Sequence, residues 1–447
     1  MTKFLIVILL TANCFLAQAQ TIKTDVLVIG NGACGAAAAI QCARSKIKTV
    51  YFLRDSLPFL SPQAPTMCTI GANRNIQSGI WGEFRKRVHD FYKKIPGYDT
   101  SNNAVLRFEP NTGASILKKI ADTVKNLTVY INGTFTAIKK NGDGWDVSFI
   151  RSGKTIDVKT RIVVDATDTG EVASKAGVKI TARYTNNNTN QFKTYRTSIA
   201  AIEESPELRS ENVKTSNAYY PPFPAYIVPI RAMLSKDADN LLIAEKVLMG
   251  KQDIQSLSLQ LETGQGIGTV AAYCAFFKTT TKNLNVRTIQ GELLDFKGYL
   301  LPFTDIPLKD RNWRAIQQVC ATGLLKGVLQ TSGDSTKFAF NPDSLVKTDE
   351  VKPVLTEIYT RAFLWFIKEK PGEKFTIANL LSFIGDHTLT NSQVLIGSVQ
   401  KAWKTQYRFT TDFDLNRQVT RREFAVLANR FLNPFARTVD LDGNVVN

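Results

Sequence analysis

The stretch from Asp25 to Leu53 constrains this chain more than any other. Asp25-Val26-Leu27-Val28-Ile29 is a short β-branched run of the kind that forms a buried parallel strand. Gly30-Asn31-Gly32-Ala33-Cys34-Gly35 follows at once and matches Gly-x-Gly-x-x-Gly. Ala36 to Arg44 reads as a helix rich in small residues, and Thr49 to Leu53 as a second strand. Strand, glycine turn, helix, strand is the order that gives the motif meaning. Gly30 permits the tight turn, Gly32 lets the backbone approach a pyrophosphate, and Gly35 lets the helix pack close to the strand. The helix N-terminus, through Gly32, Ala33 and Cys34, presents N–H groups and a partial positive charge to the phosphates. An acidic side chain normally ends the second strand and holds the ribose hydroxyls. Here that place falls at Leu53 or Arg54. Asp55, one or two residues later, is the candidate substitute; otherwise Arg54 meets a phosphate.

The rest of the chain bounds the reading. Its 447 residues are too many for one ordinary core and predict two or three domains. The formal net charge is +17, yet Lys and Arg are dispersed with no run of five, so no nucleic-acid role is inferred. Lys3, the apolar run Phe4 to Leu10 and Ala17-Gln18-Ala19 read as a secretory signal over residues 1–19, cut before Gln20. The expected location is exported: periplasmic, outer-surface or secreted. No later segment is apolar for long enough to span a membrane. Beyond the signal stand Cys34, Cys42, Cys68, Cys274 and Cys320, an odd count with no Cys-x-x-Cys pair. With His89 and His387 the only histidines, no metal site is expected, and both read as structural residues.

Two further segments belong with the glycine turn. Arg161 to Asp165 is another buried-strand run, ending in Ala166-Thr167-Asp168-Thr169-Gly170, with a helix starting at Val172 and stopped by Gly177. Asn240-Leu241-Leu242-Ile243-Ala244 is a third strand, and Gly264 to Ala272 reads as a small-residue helix start. The Arg161 segment is similar to a strand of two-dinucleotide-type flavoproteins, and that resemblance implies that the Ala166-Thr167 turn lies beside a cofactor. The amides of Gly264, Gly266 and Ile267 are expected to face its diphosphate or ring system.

Together these segments resemble the FAD-dependent oxidoreductase family whose bacterial members are often named xanthan lyases. The resemblance also rests on Ser78-Gly79-Ile80-Trp81-Gly82-Glu83-Phe84-Arg85, Phe108-Glu109-Pro110 and Gly264-Gln265-Gly266-Ile267-Gly268. It implies FAD as cofactor, a secreted or periplasmic setting and a polysaccharide-related substrate. Glu83 and Arg231 are the candidates for substrate or flavin contact, and no catalytic acid or base is assigned. The chain departs from the family pattern in four places. An acid is missing at Leu53. Phe59-Leu60-Ser61-Pro62-Gln63 stands where relatives carry a glycine turn. Leu257 to Glu262 lacks the usual Arg and Pro. Thr181 to Asn217 is short and polar. These departures mark a divergent member, and inactivity is one reading of them.

The fold class expected is α/β: a Rossmann-type FAD-binding domain with a parallel sheet over residues 20–277, carrying an inserted β-rich segment (about 100–160 and 180–225). A mainly α-helical C-terminal domain follows over 278–447. Phe303-Thr304-Asp305-Ile306, Gly323-Leu324-Leu325-Lys326-Gly327, Phe340-Asn341-Pro342-Asp343 and Val419-Thr420-Arg421-Arg422-Glu423-Phe424 resemble surface-layer-homology repeats, which bind cell-wall polymers. The alternative is a helical domain packed on the flavin domain. Two functions stay open: an exported flavoenzyme acting on a small molecule or glycan, and a non-catalytic cell-envelope or glycan-binding protein on a degenerate flavoprotein fold.

Overall fold

A computed structural model describes residues 20–55, 66–180, 191–203, 225–248, 254–332 and 335–446. The first strand, β1 (Gln20–Ile29), runs five residues further back than the apolar pattern marks. Helix α1 (Ala33–Arg44) starts directly at Gly32, which serves as its N-cap. Then come β2 (Thr49–Phe52), β3 (Cys68–Ile70), α2 (Gly79–Tyr92), β4 (Leu106–Phe108), α3 (Pro110–Asp122) and β5 (Leu127–Tyr130). The strands β6 (Gly133–Asn141), β7 (Gly144–Arg151) and β8 (Lys154–Asp165) form an antiparallel meander. Short helices α4 (Glu171–Lys175) and α5 (Gln191–Arg196) lead to the pair β9 (Ser198–Glu203) and β10 (Ala225–Pro229). The unit continues with β11 (Leu241–Ile243), α6 (Glu245–Leu248), α7 (Leu257–Phe276) and α8 (Val286–Asp295).

The main sheet has the order β5-β2-β1-β8-β7-β6, with β11 also on β8. β5, β2, β1, β8 and β11 are mutually parallel. The long strand β8 serves two neighbours on one edge: Lys154–Thr160 pairs with β7, and Val163–Asp165 pairs with β11. Asn240 knits this junction. It is buried with φ of 62°, its Nδ2 donates to the Asp143 carbonyl at 2.6 Å, and its carbonyl accepts from Trp145 Nε1 at 3.1 Å. The left-handed backbone and the polar side chain are both used, which asparagine tolerates better than other non-glycine residues.

Strand β1 is buried on both faces, which explains its unbroken apolar run. Val26 and Val28 join the larger core under α1 and α7, while Leu27 and Ile29 face a second core against the meander. Helices α1 and α7 approach closely because small residues line the seam. A β-carbon on Gly264 would overlap the Cys34 carbonyl, and one on Gly268 would crowd the Ala38 carbonyl. The sequence reading that starts a helix at Gly264 is corrected here. The helix begins at Leu257, so the amides of Gly264, Gly266 and Ile267 lie in its interior, where N–H groups bond to the preceding turn.

Beyond the stretch 278–283, α8 packs back on α7 and β9, so this segment lies against the nucleotide-type fold. The remaining chain holds α9 (Trp313–Cys320), the hairpin β12 (Val328–Ser332) and β13 (Ser335–Ala339), and helices α10 (Thr348–Ile358), α11 (Ala362–Glu369), α12 (Ile377–Thr388), α13 (Ser392–Ala402) and α14 (Arg421–Leu427). Three strand-to-helix turns meet in a closed ring. Val346 N–H donates to Val419 O (3.0 Å), Val419 N–H to Phe375 O (3.0 Å) and Phe375 N–H to Val346 O (3.2 Å). Each turn feeds a helix: α10, α12 or α14. Thr376 with Asn379 and Thr420 with Glu423 close capping boxes at the last two. Arg196, itself buried, ties this part to the main-sheet domain through a bidentate pair with Glu357 (2.6 and 2.7 Å) and a bond to Thr322 O (2.9 Å).

Two helix glycines give predictions of opposite sign. Gly264→Ala should destabilise the protein by about 1–3 kcal/mol through forced separation of the helices. Gly291→Ala, in α8 with nothing within 4 Å of the added carbon, should stabilise it by about 0.5–1 kcal/mol. Denaturant melts of the two variants check both signs. Glu262, wholly buried in α7, receives a hydrogen bond from Ser78 Oγ at 2.5 Å, and burial pushes its carboxyl pKa up to about 8. Its folded value therefore lies above the unfolded one. The stability this difference contributes is full below about pH 4.5 and is lost as pH rises toward about 8. Glu262→Gln should thus gain melting temperature over wild type at pH 9 relative to pH 5. An unchanged difference between the two pH values would contradict the assignment.

Candidate nucleotide site

The carboxyl ends of the parallel strands open on a cleft of about 150 Å³. Ile29, Gly30 and Asn31 at the end of β1 lie between Phe52 and Arg54 on the β2 side and Thr167, Asp168, Thr169 and Glu171 on the β8 side, and Gly133 and Phe135 of β6 complete the lining. Parallel open sheets place ligands here, outside the strand ends where the strand order reverses. The two walls come from turns that are level with each other because β1 and β8 stay in register to Ile29 and Asp165.

Each wall has its own local cause. Gly30 has φ of 145°, and a β-carbon there would overlap the Ala166 carbonyl. The Asn31 side chain fixes the end of β2: its Oδ1 accepts from Arg54 N (2.7 Å) and Asp55 N (3.3 Å), and its Nδ2 donates to Asp55 Oδ2 (2.7 Å). Across the cleft, buried Asp165 builds the turn. Its carboxylate accepts from Thr167 N (3.0 Å), Thr167 Oγ1 (2.6 Å) and Ala173 N (2.8 Å), and the Thr167 hydroxyl oxygen accepts from Glu171 N (2.9 Å). Burial raises the Asp165 carboxyl against these bonds, which pull it down. Arg54 reaches over the cleft to Glu171 at 2.9 Å.

The structure gathers Gly30, Arg54 and Thr167 into this cleft, with Asp55 beside it on Asn31 and Ala166 buried under Gly30. Gly32 caps α1 next to it, with no acidic residue in the helix's first turn. Ala33 and Cys34 are buried, and desolvation pushes the Cys34 thiol up to about 12, so its side chain is an inert packing group. A β-carbon on Gly35 would crowd Tyr51, so this glycine serves close packing of α1 on β2. Gly264, Gly266 and Ile267 do not reach the cleft: the first lies on Cys34, the second on the Ile199 carbonyl, and Ile267 is fully buried. Glu83 bonds Arg44 (2.6 Å) and Arg87 (2.7 Å), joining α2 to α1. Arg231 pairs with Asp442 at 2.9 Å. The turn Phe59–Gln63 lies outside the described residues.

His89 packs edge-on to Tyr98, and His387 sits 4.4 Å from the Tyr359 ring. All five described cysteines are free and buried, and no group of three potential metal ligands occurs among the described residues. No helix among them is long and apolar enough to cross a membrane. Sequence reasoning missed Ile29, Asn31, Phe52, Gly133, Phe135, Asp168, Thr169 and Glu171 as cleft residues. Asn31 was visible as the residue between the two glycines, and Asp168 and Glu171 as acids flanking the turn. Nothing local marks Gly133 or Phe135.

The residues present fit the adenosine diphosphate end of FAD. A glycine turn leaves the backbone bare beside the cleft. An α-helix of twelve residues begins there without a competing side-chain cap, and Phe52 and Phe135 line the cleft beside hydroxyl and carboxylate groups. Among solved structures, p-nitrophenol 4-monooxygenase PnpA from Pseudomonas putida DLL-E4 is similar at 13% identity over 33% of this chain and 40% of its own, with a TM-score of 0.25. The rebeccamycin biosynthetic enzyme RebC with reduced flavin is similar at 15% identity over 36% of each chain, TM-score 0.28. Bacillithiol disulfide reductase from Staphylococcus aureus is similar at 16% identity over 38% of this chain and 44% of its own, TM-score 0.24. The chain thus spans less than half the length of these structures, and likeness this partial says nothing of the reaction. No curated protein matches the sequence. The model of the FAD dependent oxidoreductase family matches residues 25–215 and 182–293, which together exceed half the chain. On that match the chain belongs to the FAD dependent oxidoreductase family, and FAD is its cofactor.

Proposed function

We propose that the protein is an exported FAD-dependent oxidoreductase whose substrate is related to polysaccharide. The observation that carries the redox part is the cleft at the glycine turn in a chain of this family. FAD, when bound, supplies the electron or hydride transfer. The protein's own part in the described residues is binding. Gly30 and Gly32 keep side chains away from the diphosphate path. The start of α1 offers backbone N–H groups and a partial positive charge there. Phe52, Gly133 and Phe135 contribute the apolar part of the cleft lining. Arg54 and Glu171, bridging the cleft, hold its two walls at a set width. Export is supported by the basic start, apolar run and Ala-Gln-Ala of residues 1–19. The polysaccharide connection rests on the family resemblance of the Trp81–Arg85 run.

A second reading has one observation in its favour. The ring of three strand-to-helix turns gives the C-terminal part the internal repetition expected of a polymer-binding module. In that reading the protein holds a cell-wall polymer without turning it over. Against it, the repeat arginines are engaged internally: Arg421 bonds Phe340 O (2.7 Å) and pairs with Glu350, while Arg422 Nη1 donates to both Asp310 carboxylate oxygens (2.8 and 2.9 Å). The buried Arg421 is thereby closed to an acidic glycan.

Purified protein should be yellow, with an absorption band near ~450 nm, and should release FAD rather than FMN on denaturation. A colourless protein that gains no band and no thermal stability from added FAD contradicts the enzyme reading. Exported material should begin at Gln20; protein retained in the cytoplasm with its first residues intact contradicts export.

A further inference from the structure

The family's usual partner for the adenosine ribose, an acid at the end of β2, is absent, because Leu53 is buried and Arg54 turns to Glu171. The cleft still holds carboxylates, and three compete for the vacant role. Asp55 is turned aside, since its Oδ2 accepts from Asn31 Nδ2 at 2.7 Å. Glu171 has an ion pair on each oxygen, Oε2 with Arg54 (2.9 Å) and Oε1 with Lys175 (3.3 Å). Asp168 lines the cleft and makes no hydrogen bond or ion pair with any other described residue. It stands on the turn after β8, within electrostatic reach of Arg54 and Asp55 across the opening. Its side chain is exposed at the cleft opening, where partial desolvation raises its carboxyl above the ordinary range and Arg54 draws it partly back. A carboxylate open to the cleft and free of partners among the described residues is an acceptor that a ligand hydroxyl can reach.

We propose that Asp168 accepts hydrogen bonds from the adenosine ribose hydroxyls of FAD, taking over from the opposite wall the task that an acid at the end of β2 performs elsewhere in the fold. The proposal rests on the FAD reading of this cleft. The Arg54–Glu171 pair then has a positioning role: it neutralises the neighbouring carboxylate, so that Asp168 is the open acceptor on that wall. The turn itself is built by Asp165 and Thr167, not by Asp168, so replacing Asp168 leaves the fold intact.

The test uses the purified full-length mature protein, freed of flavin, with ADP and 2′,3′-dideoxy-ADP as probes and FAD as a control ligand. Wild type should prefer ADP over the dideoxy nucleotide by roughly 10- to 100-fold, the range of a hydrogen bond to a charged acceptor. Asp168→Ala should weaken ADP by that factor, leave the dideoxy nucleotide within about twofold and melt at the wild-type temperature. Asp55→Asn, which leaves the Arg54–Glu171 pair in place, should keep the preference. If Asp168→Ala keeps the preference, or Asp55→Asn loses it in its place, the assignment of Asp168 is overturned. The same holds if wild type binds FAD but ignores the hydroxyls; in each of these cases FAD binding stands. If wild type binds neither FAD nor ADP, the FAD reading of the cleft falls first and the proposal with it.

Discussion

Gly30 lies with its α-carbon against the Ala166 carbonyl, and that contact sets the whole carboxyl edge of the sheet. It exists because β1 and β8 run parallel and in register to their last residues. Ala166 N donates to Ile29 O at 2.8 Å, and Gly30 N donates to Phe52 O at 3.2 Å, so three strand ends are tied at one level. Any side chain at position 30 would push the turns apart. With the turns held together, the start of α1, the end of β2 and the Asp165-built turn face one another across a narrow cleft. The cofactor site is thus a consequence of strand register plus one glycine.

The same economy of space governs the layer above. Helices α1 and α7 touch backbone to side-chain-free backbone, which is why Gly264 and Gly268 sit where they do. Their place in the seam explains a glycine-rich run that otherwise reads as a ligand-binding turn. The C-terminal part is held by different means. Its centre is a ring of backbone hydrogen bonds among three turns, and its junction with the rest is a buried arginine, Arg196, paired with Glu357. Its own arginines, Arg421 and Arg422, hold its helices to neighbouring loops.

How much of this could be read from the sequence depends on the range of each interaction. The strand, turn and helix of residues 25–44 are local, and their pattern gives them away. The start of α1 was placed three residues late only because Ala33-Cys34-Gly35 was counted with the turn. The start of α7 was missed because Leu257 to Leu261 carries no capping signal and is buried all round, so it has no polar face to show periodicity. Gly133 and Phe135 reach the cleft through the meander, a pairing that no short window reveals. Asp168 could be seen as an acid in a turn, but its freedom from partners depends on Arg54 choosing Glu171, a contact between distant segments. The missing acid after β2 was legible, while its replacement was not.

The central claim is that the crevice beside Gly30 and the start of α1 holds the diphosphate and adenosine of FAD. Hydrogen–deuterium exchange with and without FAD tests it most directly. The account predicts slower exchange confined to the first turn of α1, the end of β2 and the turn from Thr167 to Glu171, with the C-terminal ring unaffected. Exchange at these three segments that stays the same on saturation with FAD, or protection that falls elsewhere, would contradict it.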